Sequence, residues 1–319
     1  MNVPNIETLP AGTVRPLWSV MIPAYNCASY LRQTLASVLA QDPGPEQMQI
    51  EVVDDGSTKD DPESVVRETG KGRVIFHRNP KNQGVTRNFN VCIQRSRGRL
   101  VHILHGDDYV LPGFYARVQQ AAEEHPGAAL LATRSYYVDK KNEITGVTRQ
   151  LDKLAVTSQC VEDFYYTTPI QTPSVVMRRE FYEQHGGFHL ELSHTADCEM
   201  WARAVGLAGG WVSPEILACY RTFPENDSGQ LARTAGNLRD IERLNGIFAG
   251  RYPGFDPEQG RRRITQSAWL QMVRFYEAGD AEAELANRRF WAAHVSPVRR
   301  HRKILSLKIK RIFRRARAA

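Results

Sequence analysis

Two adjacent carboxylates, Asp107 and Asp108, follow the apolar run Leu100-Val101-His102-Ile103-Leu104. Side by side at the end of a buried strand, each raises the other's pKa unless a cation or a set of donors compensates. A divalent metal is the usual compensator, and hard ions such as Mg²⁺ or Mn²⁺ favour oxygen ligands. The chain then turns at Pro112-Gly113 and enters a helical pattern, which places the pair at a strand's carboxyl end. Open α/β sheets hold their ligands at that edge. The same two residues would also suit a solvated turn with an acidic cap for the next helix, so the rest of the chain has to decide.

Two further segments carry comparable chemistry. Ile22-Pro23-Ala24-Tyr25-Asn26 reads as a strand-to-helix turn whose backbone N–H groups and aromatic ring suit a nucleotide. A plain turn with Tyr25 packed inward fits equally well. Asp54-Asp55-Gly56-Ser57-Thr58 closes another short strand. A carboxylate there can accept a hydrogen bond from a base N–H, and Gly56 allows close backbone approach. Its plainer reading is a helix-capping turn. Arg87, near the start of a helical segment, offers a guanidinium that can pair bidentately with phosphate, or with a surface acid. In Tyr220 to Ser228 we read a loop able to close over a diphosphate, with Arg221 as its contact.

The elements needed to position these groups are visible in the patterning. Strands are expected at Ser19–Ile22, Ile50–Val53, Val74–His77 and Leu100–Leu104, the first ended by Pro23. Helical spacing covers Ser29–Leu39, a stretch from about Pro62, and Val85–Arg95. Such alternation with short connections implies a parallel sheet covered on both faces, with the three acid- or aromatic-bearing loops on one edge. Ala128–Tyr137 continues the sheet into a hairpin at Asn142-Glu143. Beyond about Thr222 the pattern becomes helical, over Leu231–Phe248, Glu258–Ala278 and Ala281–Ala293.

Composition narrows the function classes. The 319 residues, 42% hydrophobic and 24% charged, suit one large globular domain with an appendage. No apolar run approaches the roughly 20 residues needed to span a bilayer. Met1 to Pro16 lacks the charge and apolar core of a secretion signal and reads as a loose extension. Cys27, Cys92, Cys160, Cys198 and Cys219 have no metal-like spacing and read as reduced thiols of a cytosolic protein. Between Val298 and Ala319 there are ten Lys and Arg and no acid, which takes the +7 of the whole chain to −3 for everything before it. The body is therefore ill suited to nucleic acid. In the tail, Leu305, Ile309, Ile312 and Phe313 share one helical face. That pattern predicts an interfacial helix over 298–317 drawn to an anionic membrane surface; a solvated basic tail is the other reading.

Four motifs in order, Ser19 to Asn26, Val52 to Thr58, Asn82 to Asn88, and His105-Gly106-Asp107-Asp108 with Pro112-Gly113, resemble those of the family 2 glycosyltransferases of GT-A fold. The resemblance continues through Gly186-Gly187-Phe188, Ala196 to Arg203 and Tyr220-Arg221, over roughly residues 17–225. It implies a Rossmann-like α/β domain at 17–225, with a mostly parallel sheet and helices on both faces. That domain would be followed by a helical extension at 226–296 and the basic tail at 297–319. It implies nucleotide-sugar contacts from Pro23, Ala24, Tyr25, Asn26, Asp54 and Asp55. It also implies a divalent cation, Mn or Mg, on Asp107 with Asp108 close by, where it would neutralise a departing diphosphate.

The family's usual Asp-x-Asp-Asp begins here with His105, which could be a weaker ligand, a sugar contact or a turn residue. The family's Glu-Asp pair appears as Ala196-Asp197, making Asp197 the candidate general base, unless it merely caps its helix. The implied activity is inverting transfer of a sugar from a nucleotide diphosphate, UDP for preference, to a glycan or lipid-linked hydroxyl. Bacterial surface polysaccharide or lipopolysaccharide is the implied context, at the cytoplasmic face of the membrane. A sugar-nucleotide-forming nucleotidyltransferase would carry a Gly-rich basic loop after the first strand, which Pro23 to Asn26 is not. A non-catalytic binding module would have no use for Asp197.

Overall fold

Trp18–Ala24 forms strand β1, and all seven of its residues are buried. Unbroken burial suits a strand covered by helices on both faces. β2 (Met48–Asp54) is buried throughout as well and pairs with β1 in parallel from Trp18↔Met48 to Ala24↔Asp54. The two strands therefore end at one level. β3 (Ile75–Arg78) flanks β2 and β4 (Leu100–Ile103) flanks β1, both in parallel. Helices α1 (Ala28–Leu39), α2 (Pro62–Gly70) and α3 (Val85–Arg95) make the crossovers. β1 continues through Pro23 rather than ending there, because β4 is last paired opposite Met21 and the proline breaks no ladder bond on that side. In this computed structural model the described residues are 2–151, 155–156, 161–166, 169–224, 226–298 and 300–303.

The sheet continues with a change of direction. After β5 (Tyr109–Val110) and α4 (Phe114–Glu124) come β6 (Leu130–Val138) and β7 (Ile144–Val147), the expected hairpin with Asn142 in the left-handed region. β8 (Ala155–Val156) and α5 (Val161–Tyr166) follow. β9 (Val175–Arg178) inserts antiparallel between β4 and β6, and β10 (Gly210–Arg221) lies parallel to β6. The order is β3-β2-β1-β4-β9-β6-β10-β5. α6 (Arg179–His185) and α7 (Ala196–Ala208) complete the second half. Val20, Ile22, Ile50 and Val52 pack with Leu31, Leu35, Val38, Phe114 and Val118 in the core. The architecture is the α/β class expected, mixed at β9 and at the edge.

The chain falls into two compact units, Met1–Phe223 and Pro224–Ala319. The N-terminal segment, read from the sequence as a loose extension, is tied to the first unit. The Asn2 and Pro4 carbonyls accept from Leu190 and Gly187 at 2.9 Å each, and Ile6 is only 1% exposed. Hydropathy alone does not reveal this, because the bonds run to backbone more than 180 residues away.

The second unit holds α8 (Asp227–Arg233), α9 (Gly236–Arg251), α10 (Pro257–Glu277) and α11 (Ala281–Ala293). The single helix expected over Leu231–Phe248 is broken at Ala235, whose φ is +56°. Asn287 makes the break tolerable by donating 2.9 Å to the Ala232 carbonyl. Leu238, Ile264, Ala268, Met272, Phe290 and Trp291 form this unit's core. Among the described residues, no helix is long and apolar enough to cross a membrane. The predicted apolar stripe from Leu305 to Phe313, and Cys160, lie outside the described residues.

Candidate active site

The loops after β1, β2 and β4 emerge side by side at the carboxyl edge. The Ala24 carbonyl accepts from the Asp55 N–H (2.8 Å), and the Pro23 carbonyl from the Gly106 N–H (3.0 Å). Gly106 is needed for that approach, since a Cβ there would stand 2.7 Å from the Cys27 sulfur. Asn26, at φ +50°, clamps the second loop by accepting from the Thr58 and Lys59 N–H groups at 2.9 Å each. Tyr25 is 42% exposed and packs outward, available to a planar ligand.

The first acidic pair is consumed within the protein. Asp54, fully buried, accepts from the Ser57 hydroxyl and N–H and from the Arg78 guanidinium at 2.6 Å. Asp55, 2% exposed, accepts from the Gln83 N–H at 3.0 Å, the Gly84 N–H at 2.9 Å and the Asn79 amide at 2.9 Å. Each Asp55 oxygen already has two donors, so the expected base contact through this carboxylate is not left open; it fixes the loop before α3 instead. Gly56 does permit a close backbone approach, but of the protein's own Lys81-Asn82, 3.1 Å from where a Cβ would be.

The second pair is arranged differently. Asp108 is 1% exposed. Its Oδ1 accepts from the Arg221 N–H at 2.7 Å, whereas its Oδ2 has no hydrogen-bond partner among the described residues. The His105 Nδ1 stands 3.4 Å from that oxygen without completing a hydrogen bond. His105 Nε2 likewise lacks a partner, and the ring stacks on Phe89 with centroids 5.2 Å apart. Burial pushes the Asp108 carboxyl above its ordinary range, against the pull of His105 and Arg221. Burial pulls the His105 imidazole down, but the close Asp108 carboxylate, followed by the charges of Asp107 and Asp197, outweighs it and raises it. Thr34 holds the loop from beneath, donating 2.7 Å to the Asp108 carbonyl.

Arg221 corrects the expectation of a mobile phosphate contact. It ends β10, is 1% exposed, and is spent on structure. It donates to the Asp107 carbonyl (2.8 Å), the Asp139 carbonyl (2.9 Å), Gln33 (2.9 Å) and Asn142 (2.8 Å). Its guanidinium also lies 4.7 Å from the Tyr30 ring centre. Four of the five guanidinium N–H groups are fixed in this way, and they position the Asp107–Asp108 loop. Arg87, by contrast, is exposed on the first turn of α3 and makes no hydrogen bond or ion pair with any described residue.

Asp197 lies in the first turn of α7, where the helix dipole favours its charge. It is half-buried. Its Oδ2 accepts from Thr172 at 3.4 Å, and its field reaches His105. Thr172 belongs to the turn before β9, and antiparallel insertion of that strand brings the turn to the ligand edge. Sequence reasoning missed Thr172 and Thr34. Thr34 had a signal, a polar residue on the apolar face of α1; Thr172 had none, since its placement depends on β9's direction. Trp201 is 2% exposed and packs on Phe188 in the core.

His105, Asp107 and Asp108 each offer one ligand atom, all within 4.8 Å of one another. An unpaired buried carboxylate oxygen beside two further donors is chemistry a divalent cation satisfies, so these residues fit one.

A family model described as glycosyl transferase family 2 matches residues 19–186. The succinoglycan biosynthesis protein ExoU of Rhizobium meliloti is 30% identical over 260 residues, covering 76% of this chain and 73% of its own. Among solved structures, TarS 1-349 of S. aureus in complex with UDP-GlcNAc superimposes at TM-score 0.51 with 18% identity over 84% of this chain and 89% of its own. Against the longer TarS chain the TM-score is 0.53, and the protein spans 54% of that length. The mannosyltransferase PcManGT from Pyrobaculum calidifontis, in complex with GDP-Man and Mn²⁺, gives TM-score 0.53 with 17% identity over 95% of this chain and 83% of its own. At such identities the structural matches speak for the fold.

Proposed function

The chain belongs to glycosyltransferase family 2, and from that premise we propose an inverting, metal-dependent transfer of a sugar from a nucleoside diphosphate to an acceptor hydroxyl. The donor proposed is a UDP-sugar. The acceptor is a glycan or lipid-linked hydroxyl in cell-surface polysaccharide synthesis, a context supported by the name of ExoU. The basic 298–317 segment would hold the enzyme at an anionic, cytoplasmic membrane face.

One observation carries the reading. Asp108 Oδ2 and His105 Nε2, buried without a hydrogen-bond partner among the described residues, and the half-buried Asp197 occur at the same sheet edge, close enough for Asp197 to act on the His105 charge. Asp107 and Asp108 would hold the cation, which supplies charge neutralisation for the departing diphosphate. Tyr25 offers its exposed ring to the base, beside the Asn26 turn. Asp54 and Asp55 shape that base site indirectly, by fixing the loops at Ser57 and Gln83-Gly84. Arg87 is free to pair with a phosphate oxygen. Asp197, oriented by Thr172, takes the proton of the acceptor hydroxyl as that oxygen attacks the anomeric carbon from the face opposite the diphosphate.

The test is turnover of a nucleotide-sugar panel with and without Mn²⁺, using wild type and Asp197→Asn. We expect Asp197→Asn to bind UDP with unchanged Kd while kcat falls by about a thousandfold, within the range general-base loss produces. Unchanged turnover would sink the assignment of the base.

A further inference from the structure

We propose that His105 is a ligand of the cation held by Asp107 and Asp108, making this a mixed nitrogen–oxygen site that discriminates against Mg²⁺. This rests on reading the cluster as a metal site and goes further by fixing its donor set and ion preference.

The separations decide between the roles open to His105. With bonds of about 2.1 Å, adjacent ligands of an octahedral ion lie about 3 Å apart and opposite ligands about 4.2 Å apart. The 3.4 Å from His105 Nδ1 to Asp108 Oδ2 is close to an adjacent-ligand spacing. All three ligand atoms lie within 4.8 Å, so small side-chain adjustments close the set around one ion. The two groups meet at this distance without making a hydrogen bond, and Oδ2 gains no other donor although Asp108 is 1% exposed. A residue serving only the turn would be expected to satisfy that oxygen; an ion placed between the two satisfies both.

The ring is also held for the purpose. Phe89, 4% exposed, lies nearly parallel to the imidazole at an interplanar angle of 15°, which restricts rotation about its χ2 axis. The loop beneath cannot drift, because Gly106 packs on Cys27 and Thr34 donates to both the Gly106 and Asp108 carbonyls. Imidazole nitrogen suits transition ions, whereas Mg²⁺ is served by carboxylate, carbonyl and water. Replacing a carboxylate by a neutral ring also removes one negative charge from the site, which weakens a hard cation most.

Electron spin-echo spectroscopy of the full-length protein loaded with Mn²⁺ tests this without any turnover. Modulation from a directly bound ¹⁴N is expected in wild type and absent in His105→Asp. In equilibrium dialysis with the metal alone, His105→Asp should lower the ratio of Co²⁺ to Mg²⁺ affinity by about tenfold, the scale on which changes around a metal's ligands act. Bound Mn²⁺ that Asp107→Asn weakens but that carries no ¹⁴N coupling overturns the His105 ligand and leaves the metal site standing. Mn²⁺ that binds wild type and Asp107→Asn alike, or neither, overturns the metal site itself. The wild-type spectrum decides the ligand even if the variant fails to fold.

Discussion

Asp54–Asp55 and Asp107–Asp108 are the same dipeptide at the carboxyl ends of β2 and β4, the two strands that flank β1, and the protein treats them in opposite ways. Around Asp54–Asp55 it supplies compensation from its own chain: Arg78, Ser57, Asn79 and the Gln83 and Gly84 N–H groups. Around Asp107–Asp108 it supports the backbone through Arg221 and Thr34 and gives Asp108 Oδ1 the Arg221 N–H, while Asp108 Oδ2 stays without a donor among the described residues. A buried carboxylate oxygen without a donor is costly. The fold tolerates that cost at the pair where a cation would relieve it. Adjacent acids therefore say little by themselves; the two pairs differ in that the chain satisfies Asp54 and Asp55, whereas one buried oxygen of Asp108 has no donor among the described residues.

The sharpest way to break this comparison is to neutralise one acid of each pair. Asp107→Asn should cost about a thousandfold in kcat, or ~4 kcal/mol of transition-state stabilisation. Its urea-unfolding midpoint in metal-free buffer should shift far less than its kcat. Asp55→Ala should reverse the pattern. It strands two backbone N–H groups and the Asn79 amide, and we expect about 3 kcal/mol of lost stability in urea unfolding. If Asp55→Ala folds as stably as wild type while Asp107→Asn unfolds early, the two pairs have been assigned the wrong way round.

The strands, the crossovers and the carboxyl edge that the acidic loops share were legible because they rest on local signals. Val20 and Ile22, or Leu31, Leu35 and Val38, announce their elements by spacing alone, and α3 lies at the residues that spacing predicts. What was not legible depends on partners distant in sequence. Arg221 resembles a free loop arginine until Gln33, Asp139 and Asn142 are brought to it, the first of them 188 residues away. Asp55 resembles a base acceptor until a loop 28 residues on turns its N–H groups inward. The docking of residues 2–7 and the break at Ala235 were lost for the same reason, since backbone partners leave no trace in hydropathy.

Two histidines on β4 and its loop repeat the contrast at smaller scale. His102 is fully buried between Tyr115 and Pro173, and both of its nitrogens are used. The Pro173 carbonyl can only accept, so Nε2 carries the proton and Nδ1 accepts from the Tyr115 hydroxyl. Burial lowers its pKa to about 3, the Pro173 bond opposing and the His105 charge assisting. His105 is shifted the other way by the three acids around it. Below its ordinary value near 6.5, an unfolded His102 binds a proton that the native residue refuses, so stability falls as pH falls. The loss attributable to His102 should be about 0.7 kcal/mol between pH 7 and pH 6. Urea unfolding of wild type and His102→Gln at those two pH values isolates it, because the His105 contribution is common to both proteins. The variant is expected to be less stable at pH 7 but to lose less on acidification. Equal losses would mean that His102 takes up its proton in the native state, and that the strand carries the same unsatisfied chemistry as the loop beyond it.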